Sequence, residues 1–237
     1  MKYIDLTLAT PAENLACDEA ILDFCEETDG LEILRIWEPT EYFVVVGYAN
    51  KVEVEVNARV CREKNIPILR RCSGGGTVVQ GCGCLNYSLI LNFAGNNSLE
   101  TITRANAFIM GKHRDLLGTF LKSDVSIKGH TDLVIDGRKF SGNAQRRKKK
   151  FLLFHGTFLL DFKIHLIEEL LRLPSKEPCY RERRTHLDFL MNLHQPAAEL
   201  KRILKSGWNA TENLTSVPDF SRLVQAKYTR DEWNFKF

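Results

Sequence analysis

Three consecutive glycines, Gly74-Gly75-Gly76, separate segments with strand character, Pro67–Arg71 before them and Leu85–Phe93 beyond. Such a run ends any regular element that meets it. It lets the backbone reach φ > 0 and approach a ligand without Cβ obstruction. Arg70, Arg71 and Ser73 beside it add charge-assisted donors for a carboxylate or a phosphate. No Gly-Lys-[Ser/Thr] follows, so this is not a P-loop. A strand rather than a helix follows, so it is not a dinucleotide fingerprint. Alone, the loop reads as an anion-binding turn or as a glycine-rich bulge with solvent-facing arginines.

The rest of the chain supplies hairpins and helices in alternation. Tyr3–Thr7 reads as a strand and Pro11 opens a helix to about Glu27, with Leu15, Ile21, Leu22 and Cys25 facing inward. Leu31–Trp37 and Tyr42–Gly47 read as a hairpin about Glu38-Pro39-Thr40, and Val54–Asn65 as a helix. Asn96-Asn97-Ser98 caps a helix over 99–121, on which Ile102, Phe108, Ile109 and Leu116 recur. Leu133–Phe140 is a hairpin with Asp136-Gly137 as its tight turn. Phe151–Leu160 is a strand, Ile164–Leu173 a helix, and Pro178–Phe237 mainly helical with interruptions. The pattern predicts one α+β domain over 1–237, a mixed or antiparallel sheet with helices on one side.

At 237 residues, 44% hydrophobic and 27% charged, the chain has the balance of a soluble globular protein. Its apolar runs are far shorter than the roughly 20 residues of a membrane helix, and its N-terminus lacks a secretion signal. The expectation is a cytoplasmic protein with reduced, mostly buried cysteines. Cys72, Cys82 and Cys84 lack the spacing of a metal site. A formal net charge of +3 is too small to argue for nucleic acid.

A second chemical segment is Thr131-Asp132-Leu133 followed by Gly137-Arg138-Lys139-Phe140-Ser141-Gly142-Asn143-Ala144-Gln145. Lys139 lies on a strand with small residues after it, a compact charge suited to a substrate carboxylate and then an α-phosphate. Asp132 could hold Mg²⁺ beside a triphosphate. Arg-Arg-x-Ser-Gly-Gly-Gly-Thr-Val, Leu85-Asn86-Tyr87-Ser88, this segment, and His155-Gly156-Thr157 occur in an order that resembles the lipoate–protein ligase A family. Asn14–Glu19, Trp37, Val45-Val46-Gly47, Asn57 and Glu232-Trp233-Asn234-Phe235 extend the resemblance along nearly the whole chain.

The resemblance implies the fold of biotin protein ligases and class II aminoacyl-tRNA synthetases, and a two-step reaction. Lipoate and Mg-ATP give lipoyl-AMP, and a lysine of an acceptor lipoyl domain then takes the lipoyl group. By the same resemblance, Lys139 contacts both the acyl carboxylate and the phosphate. Arg71 and Gly76, Thr77, Val78 and Val79 bind the adenylate, Ser73, Gly74 and Gly75 shape the loop at the acyl carbonyl, and His155 lines the substrate site. Asp132 is the metal candidate. The acceptor is a 2-oxoacid dehydrogenase acyltransferase subunit or a glycine-cleavage H protein. No room remains for the accessory C-terminal domain of many bacterial ligases, so the resemblance implies either a separate accessory protein as a further partner or a different way of binding the acceptor. Gln80-Gly81 departs from the family's His-Asp, Cys84 from Asn and Thr131 from Asn.

Two other readings compete. Octanoyltransferases of the same superfamily work without ATP through a cysteine thioester, and Cys179 in Pro178-Cys179-Tyr180 follows His155 much as the cysteine of one such group does. Arg181, Arg183 and Arg184 could lower its pKa. The segment before Thr131 lacks the cysteine of the other group. The run Arg146-Arg147-Lys148-Lys149-Lys150 fits a nucleic-acid contact, a solvated hairpin, or a surface steering an acidic lipoyl domain. His186 reads as structural.

Overall fold

Both faces of β2 (Ile33–Trp37) are covered, and all five of its residues are buried. This explains its near-continuous apolar run, since a strand packed on two sides has no polar face to show. The computed structural model describes residues 1–28, 30–174 and 176–237. Its larger sheet has eight strands in the order β11-β1-β2-β6-β10-β9-β8-β7. The other strands are β1 (Lys2–Asp5), β6 (Cys84–Asn92), β7 (Ser126–Lys128), β8 (Asp132–Ile135), β9 (Arg138–Arg147), β10 (Phe151–Leu159) and β11 (Glu212–Asn213). β1 runs parallel to β2 and β11; the remaining pairs are antiparallel. A second sheet of three strands, β4-β3-β5, comprises β3 (Phe43–Val46), β4 (Ile68–Arg70) and β5 (Val78–Gln80).

The α+β mixed-sheet architecture stands, with one correction: helices cover both faces. Leu34 and Ile36, with Leu89 and Phe154, pack against α4 (Ile102–Leu121) and α7 (Ala197–Gly207). Ile33, Ile90 and Leu153 point the other way, onto Cys17, Ile21 and Leu22 of α1 (Pro11–Thr28). The small sheet joins α1 on that second face, where Phe43 and Val45 pack with Trp37 and Leu15.

Four local readings are corrected. β2 and β3 do not form a hairpin: β2 pairs with β1 and β6, while β3 leaves for the small sheet. The segment read as one helix over 54–65 is split into α2 (Val52–Glu55) and α3 (Ala58–Glu63), because Val56 is extended and bridges Leu171. α4 is capped by Thr101, whose hydroxyl accepts the Arg104 N–H, and Ile102 and Phe108 face outward. The C-terminal quarter, beyond α5 (His165–Leu170), is mostly short helices and connections, and Leu187 of α6 (His186–Phe189) is exposed. The Asp136-Gly137 turn is as expected, both residues having positive φ.

Candidate active site

The glycine loop hangs from two buried arginines, and neither guanidinium is spent on solvent. Arg70 donates to the carbonyls of Gly47, Tyr48, Asn50, Trp233 and Asn234. Its own backbone is tied to the Asn234 and Trp233 side chains. The anion-binding reading of Arg70 is therefore corrected: it knits the C-terminal segment to β4 through Trp233 and Asn234. Arg71 donates to the carbonyls of Gly74 and Gly76, at 2.6 and 2.7 Å, and to Ser73 Oγ at 3.1 Å. Burial brings its pKa down to about 10, so it stays charged at neutral pH.

With the loop carbonyls turned down onto Arg71, its amides are left over. Among the described residues no backbone acceptor takes the N–H groups of Gly74, Gly75 or Gly76. Gly74 and Gly76 border open space, and Gly75 has φ +87°. Unpaired amides beside a buried cation make an anion nest. Gly47 permits the approach, since a Cβ there would lie 2.0 Å from Gly75 O. Thr77 and Asn50 both donate to the buried carboxylate of Glu55, which closes the loop's other side. Val78 and Val79 belong to β5; Val79 points into the apolar core and offers a ligand only its backbone.

Lys139 rises from β9 toward Asp132. Its Nζ lies 2.8 Å from Oδ1, while the Tyr180 hydroxyl donates to Oδ2 at 2.7 Å. The ammonium lies across Gly142, where a Cβ would come within 2.8 Å of Nζ. Burial first, and the charge of Asp132 second, push the Tyr180 phenol well above its usual pKa, so it serves as a donor. Both oxygens of Asp132 are thus engaged, and no cluster of three acidic, His or Cys ligands exists among the described residues. The described protein groups do not by themselves form a metal cage; a cation arriving with phosphates would share Asp132 with Lys139 and Tyr180.

His155 stands on β10 with Nε2 2.5 Å from Ser73 Oγ, and with Nδ1 3.8 Å from Asp18 Oδ2. Asp18 lies within α1, ion-paired at 2.5 Å with Arg35 of β2 and accepting the Ser88 hydroxyl at 2.7 Å. Burial works against its charge, but Arg35, then His155 and Ser88, carry the carboxyl below its usual range. In place of the expected histidine, Gln80 donates to Thr157 Oγ1, which donates to Asn86. Tyr87 and Thr131 clamp Asn143 from the opposite side of the sheet.

The fold therefore gathers Arg71, Ser73 and His155 around the glycine loop, with Lys139 one strand further along the same sheet on β9 and Asp132 two strands on, on β8. Asp18, Arg35, Tyr180 and Gly142 are what sequence reasoning missed. Asp18 and Arg35 lie on a helix and a strand 17 residues apart in sequence, and only the tertiary structure reveals their buried pairing. Cys179 is exposed and sits between Pro178, which packs near Gly129, and Tyr180. Cys72 and Cys84 are buried in separate clusters and Cys82 is exposed, so the three do not converge. His186 is buried, its backbone held by Glu168. The basic run is partly structural: Arg147 donates to Leu99 and Glu100 carbonyls, Lys148 pairs with Asp23, and Glu26 accepts the turn's backbone N–H groups.

Sheet, loop and lysine together set unpaired backbone amides and a partly exposed ammonium on one sheet face, an arrangement for binding an anionic ligand. Residues 10–209 match the model of the lipoyl protein ligase A/B catalytic domain, and the chain belongs to that family. It is 28% identical to the octanoyltransferase LipM of Bacillus subtilis, across 99% of this chain and 98% of that protein. It is 23% identical to the lipoate-protein ligase LplJ of the same organism, across 99% of this chain and 73% of the relative. In fold it is similar to lipoate-protein ligase A solved with ATP bound (TM-score 0.83, 22% identity, 99% of each chain). It is similar also to the bi-partite lipoate protein ligase of Thermoplasma acidophilum, described with its E2 lipoyl domain (TM-score 0.79, 22% identity, 99% and 96%). No helix among the described residues is long and apolar enough to cross a membrane.

Proposed function

We propose that this chain, acting as one catalytic domain, activates lipoate or octanoate with ATP and passes the acyl group to a lysine of an acceptor lipoyl domain. The observation that carries this reading is the position of Lys139, a partly exposed ammonium laid over Gly142 on the same sheet face as the glycine loop. Lys139 offsets the charge of the acyl carboxylate as it approaches the α-phosphate. The free amides of Gly74–Gly76, backed by Arg71, hold the phosphate. No protein nucleophile is needed, because positioning and charge stabilisation supply the rate. The acceptor is an acidic lipoyl domain, of a 2-oxoacid dehydrogenase or a glycine-cleavage H protein, which Arg146 and Lys149 on the exposed hairpin would steer by charge.

A second reading is supported by Cys179 and by the LipM relative: acyl transfer without ATP through a Cys179 thioester, with Lys139 assisting. Cys179 is exposed and adjoins Tyr180, which is hydrogen-bonded to the aspartate that holds Lys139. Pyrophosphate exchange with lipoate and octanoate, with and without acceptor, separates the two. Exchange that survives Cys179→Ser is the expected result. No exchange, together with thioester-dependent transfer lost in Cys179→Ser, would replace the first reading by the second.

A further inference from the structure

Ser73, His155 and Asp18 come from a loop, a strand and a helix that lie far apart in sequence, yet they form one line. Ser73 Oγ already accepts a hydrogen bond from Arg71 Nε, and arginine has no lone pair to give back. Among the described residues the acceptor left for the Ser73 hydroxyl hydrogen is His155 Nε2, 2.5 Å away. With that hydrogen donated to Nε2, the ring carries its lone pair on Nε2 and its own hydrogen on Nδ1. The far side of the ring agrees. Asp18 Oδ2 faces Nδ1 at 3.8 Å, too long for a hydrogen bond but close enough that a carboxylate favours N–H over a lone pair. Arg35 and Ser88 fix that carboxylate, and Asp18 and Arg35 are almost wholly excluded from solvent.

We propose that Asp18, held by Arg35 and Ser88, is a positioning residue that sets the His155 tautomer, so that Ser73 and His155 take up the proton released when the acceptor amine attacks the activated acyl carbon. This rests on the acyl-transfer reading above and is common to its adenylate and thioester forms. The amine nitrogen bonds to the acyl carbon, and the bond from that carbon to the leaving phosphate oxygen or sulfur breaks, its electron pair departing with the leaving group. One N–H proton passes to Ser73 Oγ as the Ser73 proton moves to Nε2. Asp18 balances the resulting imidazolium, as the carboxylate does in any Ser–His–acid relay. His155, 14% exposed at its side chain, returns the proton to water.

The test combines a spectroscopic and a kinetic measurement on the full chain. Nitrogen-15 spectra of histidine-labelled wild type are expected to show His155 protonated at Nδ1 and bare at Nε2; a proton fixed on Nε2 instead would overturn the proposal. Asp18→Asn alone leaves Arg35 buried without a counter-ion, so it is combined with Arg35→Gln, which keeps hydrogen bonds but removes both charges. Octanoyl-adenylate is supplied directly, with either an apo lipoyl domain or hydroxylamine as nucleophile. Hydroxylamine is unprotonated at neutral pH and needs little help from a base. The double variant is expected to lower the lipoyl-lysine rate relative to the hydroxylamine rate on the order of 10²-fold, the usual size of a general-base contribution. Asp18→Glu should restore most of that ratio and the Nδ1–H signal. Equal loss with both nucleophiles would show a merely structural role and overturn the proposal. A wild-type protein that acylates neither nucleophile would instead count against the acyl-transfer reading itself, while the histidine spectra still judge the relay.

Discussion

Lys139 and Gly142 share one face of β9 although they are three residues apart, a separation that should place them on opposite faces. The cause is a bulge: Leu133 pairs with Ser141, but Val134 pairs with Lys139 rather than Phe140. The extra residue, Phe140, is buried in the core behind the sheet. Lys139 is thereby turned onto the site face, opposite Asp132, with Gly142 beneath its ammonium.

Lys139→Ala should abolish acyl activation, by on the order of 10²–10³-fold or more, as expected for removing a preorganised charge at the reacting group. The fold should persist, because Lys139 lies at the open face of the site rather than in the core and Asp132 keeps its hydrogen bond from Tyr180. Thermal melts within a few degrees of wild type alongside the lost activity would bear this out. Wild-type rates in the variant would remove Lys139 from the mechanism.

Gly142→Ala tests the same geometry without touching a charge. The added Cβ would stand 2.8 Å from Nζ and 2.9 Å from Cε, so the lysine must swing away. Activity should drop at least tenfold, about 1.4 kcal/mol of transition-state stabilisation, with Asp132 and Tyr180 still in contact. An unchanged turnover would show that Lys139 works from another rotamer.

Gly47→Ala should disorganise the glycine loop from outside it. Its Cβ would meet the Gly75 carbonyl, a backbone atom, at 2.0 Å. Overpacking of this kind costs about 1–3 kcal/mol, and the displaced carbonyl also loses its hydrogen bond from Asn50, which keeps only its donation to Glu55. ATP affinity, read by calorimetry, should weaken more than the melting temperature suggests.

Acid stability should be governed first by His113. This fully buried imidazole accepts the Trp208 indole N–H, and burial, with Lys112 second, lowers its pKa to about 3. Because the unfolded chain binds this proton more readily, stability is complete above the ordinary histidine value near 6.5. It is then lost as pH falls toward 3, at on the order of 1.4 kcal/mol per pH unit. His113→Gln, which can still accept from Trp208, should flatten the denaturation midpoint between pH 6 and 4; an unaltered slope would exclude His113 as the source.

Reversing Arg146 and Lys149 to glutamate should slow acylation of an acidic lipoyl domain and weaken its salt dependence, while lipoate-dependent pyrophosphate exchange is unaffected. Both side chains are exposed, and Arg146 lies over the ring of Tyr48. Steering is a rate effect that fades as salt shortens the screening length. If salt dependence survives the reversal, the acceptor docks elsewhere.

The sequence by itself determined the segments that carry chemistry and the mixed α+β class. Gly74–Gly76, the Asp136-Gly137 turn and the inward face of α1 each follow from local backbone or periodicity rules, which need no distant partner. It could not decide which strands pair across long separations, and so it read β2 and β3 as a hairpin. It also took Arg70 for an anion ligand, since an arginine's role depends on which carbonyls surround it, and those of Trp233 and Asn234 arrive from the other end of the chain. Only the tertiary structure put Asp18 and Arg35 behind His155. Only the bulge at Phe140, invisible to a two-residue periodicity, turned Lys139 onto the face of the glycine loop.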